Sequence, residues 1–504
     1  MPLDIQCFAA KNSASHHRDY DSLTSGWAEL CVRYLPIYPN QSIWRHSRES
    51  LPSDPEQGWK LHVSATVLSA IPIMQRVAPF LTRRKVLYKA PLSLDEVAKL
   101  NAGIFYGYSQ VGKVLTIYPQ STAEACLLAK ELHKLTKGMM APSVPFDLKY
   151  RPASCVHYRY GAFKALEKEG DNGDRVYFIR DPDGDAIPDQ RESASIPVWV
   201  NDPFLPKRAQ TRANSTETLI QTRFKAFRAL AQRGKGGVYL ALDLGVTPGR
   251  PCILKEGRKH GEVDWHGRDG CWRIKHEERV MTALSKAGID VPQIYSSFHA
   301  EDNYYLATEF VEGENLEEYL IRRKRRLVTS AAIKRSFELS ALISRVHAAG
   351  WVWRDCKPRN IIVTRTGLRP LDFEGACPAN QPDPTPWGTF PYLAPEATAE
   401  FRGRSQLPED LYALGVVIYL LLSGRTPDNP SSVPLIKSRR NIPRSLAELV
   451  RELLHSNPRR RPRAATVARR LALILGRLNQ RNHQGTRPIR RARTANRGSG
   501  RKSS

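Results

Sequence analysis

From about residue 58 the chain is a succession of short alternating runs and longer helical ones. In "WKLHVSA" (59–65) the period is two, so Lys60, His62 and Ser64 share one face of a strand and Leu61 and Val63 the other. "RKVLYKAP" (84–91) predicts a second strand carrying Lys89, and "KVLTIYPQ" (113–120) a third carrying Tyr118. Between and after them lie two helical segments. "SLDEVAKLNAG" (93–103) opens with a capping box, Ser93 and Glu96, and stops at Gly103; "STAEACLLAKELHKLTKG" (121–138) repeats the device with Ser121, Glu124 and Gly138. Together these runs predict an α/β or α+β domain. "RVYFIRDPDGDAIPDQ" (175–190) reads as strand–turn–strand; its "DPDGD" lacks the acidic ligand and flanking helices of a calcium loop.

The second half begins its own pattern near residue 216. "RGKGGVYLALDL" (233–244) is a Gly-rich turn followed by an alternating strand, and "PCILKEGR" (251–258) is a strand carrying Lys255. The helix "WRIKHEERVMTAL" (272–284) offers Glu277, with Val280 and Met281 spaced to pack inward. The longest apolar run, "LYALGVVIYLLL" (411–422), suits a buried helix and is too short to span a bilayer.

Composition narrows the class. A chain of 504 residues with 41% hydrophobic content holds two or three domains with real cores. "MPLDIQCFAAK" lacks a signal-peptide pattern, which predicts a cytoplasmic protein without membrane partners. The eight cysteines form no C-x-x-C pair and no zinc-spaced cluster, so buried thiols are expected rather than disulfides or metal thiolates. The net charge is +27; residues 478–504 carry eight Lys/Arg and no acid, and their composition predicts a disordered tail. Such a balance attracts acidic peptides, phosphate-bearing substrates or nucleic acid, but no nucleic-acid motif accompanies it, so nucleic acid is not an expected partner.

Candidate chemistry is densest in "WVWRDCKPRN" (351–360), with Asp355, Lys357 and Asn360. Asp372 follows in "LDFEGA", then "YLAPE" (392–396), Asp410, and Arg461 in "NPRRRP". With Gly234, Gly236, Gly237, Lys255, Glu277 and the segment "ATEFVEGENL" (307–316), this ordered set resembles a protein-kinase domain over about 260 residues. The resemblance implies ATP or another nucleoside triphosphate, and Mg²⁺. The three glycines, the Lys255–Glu277 pair and the backbone at Glu309 and Val311 would hold the nucleotide. Asp355 would accept the hydroxyl proton, Lys357 would neutralise the moving phosphoryl group, and Asn360 and Asp372 would hold metal. Three departures stand out: Trp353 in place of the loop's His, a Gly-rich turn one residue short, and Glu374 where a Gly would end D-F-G.

The first half has a resemblance of its own. Lys60-x-His62, then Lys89, then "GKVLTIYP" look like the phosphothreonine-lyase domain of bacterial effectors. Beside a kinase, with linking stretches "YRPASCVHYRYGAF" (150–163) and "DPDGDAIPDQRESASIPVWVNDPF" (181–204), they resemble class III and class IV lanthipeptide synthetases over residues 55–477. That family implies phosphorylation of Ser or Thr in a precursor peptide, which has an acidic leader as an option, and β-elimination of the phosphate. Carried over, Lys89 is the base at Cα and His62 the acid at the leaving oxygen. Lys60 and Tyr118 bind phosphate, with Arg151 and Arg159 as further ligands. "IFYGYSQVGK" (104–113) lacks an arginine that effector lyases use; Lys113 or the later arginines would substitute.

The expected organisation is therefore an α+β multidomain chain. It has an N-terminal extension (1–54), a phosphoSer/Thr lyase-like domain (55–155), a connecting hairpin and linker (156–215), a bilobal protein-kinase-like domain (216–477) and a disordered basic tail (478–504). No cyclase-like segment follows the kinase pattern. A separate cyclase chain, a pathway relic and a product that keeps its dehydroamino acids all stay open. The rival readings are a regulatory Ser/Thr kinase with a non-catalytic N-terminal domain, and a pseudokinase scaffold.

Overall fold

The computed structural model describes residues 14–40, 42–164, 167–169, 175–204, 219–325, 327–398, 405–427 and 442–485. The first half comprises α1 (Ala14–Tyr34), β1 (Trp44–His46), β2 (Gln57–Val63), α2 (Ala70–Arg83), β3 (Leu87–Pro91), α3 (Leu94–Ala102), β4 (Leu115–Tyr118), α4 (Thr122–Thr136), β5 (Leu148–Lys149) and β6 (Val156–Ala162). Its six strands form one sheet in the order β1-β3-β4-β2-β6-β5, with every pairing antiparallel. Strand alternation sorts the side chains. Leu61, Val63, Tyr88, Ala90, Leu115, Ile117 and Val156 are buried in one core with Ile73, Val77 and Leu81 of α2 and Leu128 and Leu132 of α4. Lys60, His62, Lys89, Tyr118, His157 and Arg159 fall on the opposite face. The register brings Lys60 opposite Arg159, His62 opposite His157, and Lys89 opposite His46.

Two expected boundaries move. The segment 1–54 was expected to be an extension, but β1 pairs with β3, and α1 packs into the same core through Trp27 and Cys31. The expected linker begins at residue 156, but residues 156–162 form β6, which pairs with β2 along all seven of its residues and extends the polar face of the sheet. The sequence signals ended at the third strand because β6 meets β2 only across about a hundred residues. Ser93 and Ser121 cap α3 and α4, accepting from the N–H of Glu96 and Glu124. The box at α3 is incomplete: the Glu96 carboxylate pairs with Lys99 and Tyr106 instead.

After β7 (Glu167–Glu169), the hairpin of β8 (Arg175–Arg180) and β9 (Ala186–Pro188) turns at Asp181–Asp185, and the chain leaving it returns to the functional face. Then come α5 (Leu219–Thr222), β10 (Phe224–Arg233), β11 (Gly236–Asp243), β12 (Arg250–Gly257), α6 (Gly270–Lys286), β13 (Ile294–Ala300) and β14 (Asn303–Glu309). β10 to β14 form a five-stranded antiparallel sheet in the order β10-β11-β12-β14-β13, and α6 packs against β12 and β14. The following lobe is helical. Every residue from Glu409 to Leu422 of the helix Leu407–Ser423 is buried, as expected of a helix apolar on all sides. The last described helix runs Ala464–Gly485, so the expected tail begins inside it; residues 486–504 lie outside the described residues. Among the described residues no helix is long and apolar enough to cross a membrane.

The two halves meet at a tight seam. The Gly234 N–H donates to Ala102 O at the end of α3 (3.0 Å), and the Arg258 guanidinium lies 5.0 Å from the Tyr108 ring centroid. A Cβ on Gly234 would fall 1.6 Å from Asn101 O. Gly234→Ala is therefore expected to destabilise the protein by about 1–3 kcal/mol through overpacking. Thermal unfolding checks it: an unchanged Tm would show that the seam tolerates the methyl group.

Candidate functional site

The kinase-like cleft is assembled from four elements. Lys255 on β12 and Glu277 on α6 form an ion pair of 2.6 Å, and Glu277 Oε1 also accepts the Phe373 N–H at 3.2 Å. Burial of Lys255 favours the neutral amine, but Glu277 and Asp372 outweigh it and raise its pKa. In the loop at 353–360, Asp355 meets Lys357 Nζ at 3.0 Å, Asn360 Nδ2 at 2.9 Å and Thr389 Oγ1 at 3.2 Å. Burial pushes the Asp355 carboxyl up; Lys357 pulls it down and Asp372 adds to the rise. Desolvation would raise half-buried Asp372 too, yet Lys255, Lys235 and Lys357 hold it below the ordinary carboxylate range. Its φ of 60° is a conformation non-glycine residues keep only where the surroundings impose it.

Trp353 explains itself in space. It is fully buried, stacks on Phe373 with ring centroids 5.6 Å apart, and donates from Nε1 to Asp372 O at 3.0 Å. It thus couples the loop of Asp355 to the segment of Asp372. Asp410 fixes the same loop by accepting from the N–H of Trp353 and Arg354 at 2.8 and 2.7 Å. Arg461 anchors Glu396 in a two-pronged pair at 2.5 and 2.8 Å.

A cavity of about 200 Å³ is lined by Lys235, Gly236, Gly237, Lys255, Asp355, Lys357, Asn360, Asp372 and Glu374, among others. Gly234 is not among its lining residues. Its N–H is committed to Ala102, which removes it from the expected phosphate cradle. Glu309 and Val311 do not line this cavity either, and the Glu309 N–H is already given to Gln293 O at 2.8 Å. The donor set suits a hard cation such as Mg²⁺. Asn360 points its Nδ2 at Asp355, which turns its Oδ1 elsewhere, and Asp372 supplies carboxylate oxygen on the same wall.

On the first half's sheet, His62 Nδ1 is 2.5 Å from Asp147 Oδ2, and Lys113 Nζ is 3.2 Å from Asp147 Oδ1. Arg159 reaches Asp189 Oδ1 at 2.5 Å and Gln190 O at 3.0 Å, and Arg191 Nε is 3.4 Å from Asp189 Oδ2. Lys60 Nζ lies 5.9 Å from the Tyr118 ring centroid, and Lys89 Nζ 4.4 Å from that of Trp44. Lys60, Lys89, Lys113, Arg159 and Arg191 thus gather around two carboxylates, a cationic excess that suits a dianion. Burial lowers the Lys60 pKa well below normal, and Arg159 adds to it. Burial, Arg191 and Lys113 push the Lys89 ammonium down to about 8. His62 is pushed down to about 4 by burial, against the pull of Asp147. Tyr118 is held protonated by burial.

Of the expected residues, Lys60, His62, Lys89, Tyr118 and Arg159 share this face, and Lys113 joins them. Arg151 does not. It precedes β6, is exposed, and donates to Tyr150 O and Phe204 O at 3.2 and 3.3 Å, bracing the chain on the far side. Asp147, Asp189 and Arg191 were missed: Asp147 and Arg191 lie outside any periodic run, and Asp189, at the end of the stretch read as strand–turn–strand, falls just after β9. His46, also missed, sits opposite Lys89 and is pushed down to about 4 by burial and by that lysine.

Comparison with known proteins agrees with this division. Residues 38–216 match the family described as RamC, N-terminal domain, and residues 236–471 match the family described as protein kinase domain. A protein named probable SapB synthase from Streptomyces coelicolor is 31% identical over 336 residues, covering 64% of this chain and 35% of that protein. The serine/threonine-protein kinase PknA of a Nostoc species is 29% identical over 279 residues, 52% of this chain and 48% of that one. Serine/threonine-protein kinase C of a Synechocystis species is 26% identical over 269 residues, 49% of each. The chain spans about a third to a half of the length of these relatives.

Proposed function

Because the chain joins a RamC N-terminal domain to a protein kinase domain, we propose that it is a bifunctional enzyme acting on a peptide: a Ser/Thr kinase and a phosphoSer/phosphoThr lyase, with net dehydration as the outcome. The substrate is a ribosomally made precursor peptide of the lanthipeptide type, and the nucleotide is ATP. The observation that carries the lyase half is the sheet face on which Lys89 and an Asp147-held His62 stand among Lys60, Lys113, Arg159 and Arg191. A regulatory kinase has no use for such a cluster, which burial makes costly.

In the kinase cleft, Asp355 takes the proton of the peptide hydroxyl as its oxygen attacks the terminal phosphorus, and the bond from that phosphorus to the bridging oxygen breaks to release ADP. Lys255 holds the inner phosphates in place, and Lys357 offsets charge on the phosphoryl group in transit. Asn360 and Asp372 would hold Mg²⁺, which when bound supplies charge neutralisation along the triphosphate.

In the lyase site, the cations orient the phosphate of the phosphorylated residue. The neutral Lys89 amine removes the Cα proton. The electron pair of that C–H bond becomes the Cα–Cβ double bond, and the Cβ–O bond breaks toward phosphate. His62, steered through Nδ1 by Asp147, gives its proton to the departing oxygen. An incoming phosphate dianion raises the imidazole pKa and so loads that proton.

The reading is tested by mass. Purified protein, magnesium and ATP with a Ser/Thr-rich candidate peptide are expected to yield products lighter by one water per site. Gain of phosphate without water loss would leave a kinase alone; no change in mass would overturn both halves.

The base also sets a pH dependence. A lysine with a pKa of about 8 is active as the free amine, the form favoured above that pH. Elimination from a ready-made phosphopeptide should therefore slow about tenfold per unit as pH falls below about 8. A rate constant that is flat from pH 6 to 8 would remove Lys89 from the role.

A further inference from the structure

Two of the departures from the kinase pattern meet in space. Arg233 pairs with Gly236 across β10 and β11, which leaves Gly234 and Lys235 as a two-residue turn. So short a turn cannot lay a row of backbone N–H groups over a triphosphate, and the Gly234 N–H already belongs to Ala102. At the tip, Lys235 points its ammonium to the carboxylate of Glu374, the residue standing where D-F-G has glycine. Glu374 is buried and is held from its other side by Arg273 Nη1 at 3.3 Å. Lys235, Glu374 and Trp387 line the same cavity as Lys255, Asp355 and Asp372.

The root of this lysine is fixed. Its own carbonyl accepts the Arg258 N–H at 2.8 Å, Gly234 is pinned at the seam, and a Cβ on Gly236 would fall 1.8 Å from Glu256 O. An ammonium has three donors. Glu374 takes one, and the side chain that carries the other two lines the cavity.

We propose that Lys235 is a nucleotide-phosphate ligand and Glu374 its positioning residue. The lysine at the tip of the shortened turn supplies the positive contact that backbone amides give in a longer Gly-rich loop. The two departures therefore need each other. Among the described residues Glu374 forms ion pairs with Lys235 and Arg273; without Lys235 it would confront the triphosphate with Arg273 as its remaining ion-pair partner, and Arg273 also serves Glu262. The inference rests on the kinase reading of this cleft.

The test uses the full chain, with calorimetric binding of MgATP, MgADP and adenosine alongside peptide-phosphorylation kinetics. Lys235→Gln should weaken MgATP and MgADP by about tenfold to a hundredfold, the range for one charged hydrogen bond, and leave adenosine affinity unchanged. KM for ATP should rise by more than kcat falls, and Lys235→Arg should recover most of the loss. Lys235→Gln with Glu374→Gln should bind MgATP more tightly than Lys235→Gln alone, because the orphaned carboxylate is gone. Equal weakening of adenosine and ATP would show that the pair only shapes the pocket and would overturn the proposal. Unchanged MgATP affinity, or a double variant no better than the single one, would overturn it as well. A wild-type chain that binds adenosine and MgATP equally poorly would instead overturn the kinase reading, which separates the two failures.

Discussion

Asp355→Asn is expected to slow peptide phosphorylation by about 10²–10⁴-fold, the usual worth of a positioned base. The substitution keeps the shape of the side chain and its contacts with Asn360 and Thr389, so MgATP binding should survive. Asp372→Ala should go further and abolish metal-dependent transfer, since it removes the carboxylate that Lys255, Lys235 and Lys357 keep ionised. Rates from a radiolabelled-phosphate assay decide it. If Asp355→Asn phosphorylates peptide at the wild-type rate, the phosphoryl-transfer centre lies elsewhere and the reading of residues 351–360 fails.

The second large effect belongs to the other site. Lys89→Ala should leave phosphorylation intact and slow elimination by about 10²–10⁴-fold, so that phosphopeptide accumulates. His62→Ala should stall at the same species, because the leaving oxygen then departs without a proton. The expected signature by mass spectrometry is a peptide heavier by whole phosphates where wild type gives one lighter by waters. Dehydration by Lys89→Ala at the wild-type rate would end the lyase assignment.

What could be read from sequence follows the range of the interactions. Lys60, His62, Lys89 and Tyr118 declare themselves because strand alternation is local, and each sits on a polar phase of an otherwise apolar run. Ser93 and Ser121 announce the starts of α3 and α4 for the same reason. The kinase centre is legible because its residues fall in short, ordered motifs. Asp147 is different: it supports His62 from 85 residues away, in a loop whose composition says nothing about its target. Asp189, 30 residues from Arg159, is the same case. Arg151 and Arg159 look alike as cations in one stretch; only the pairing of β6 with β2 turns one toward Lys60 and leaves the other outside. Gly234 shows the converse error. A glycine in a Gly-rich turn reads as a phosphate contact, whereas here it is glycine because Asn101 and Ala102 stand against it.

That seam bears on how the protein can be dissected. Cutting the chain between its halves would strip the turn at Gly234 and Lys235 of the carbonyl that holds it and expose the end of α3 to solvent. Asn101, at that end, bridges Ala65 O and the Gly112 N–H at 2.9 and 3.1 Å, positions that directly follow Ser64 and directly precede Lys113. A severed C-terminal half would thus lose the footing of that turn, and a severed N-terminal half would loosen the strut beside its cation cluster. Inactivity of either isolated fragment would be a report on scaffolding, not on chemistry, and the roles of the two centres are properly assigned by point substitutions in the intact chain.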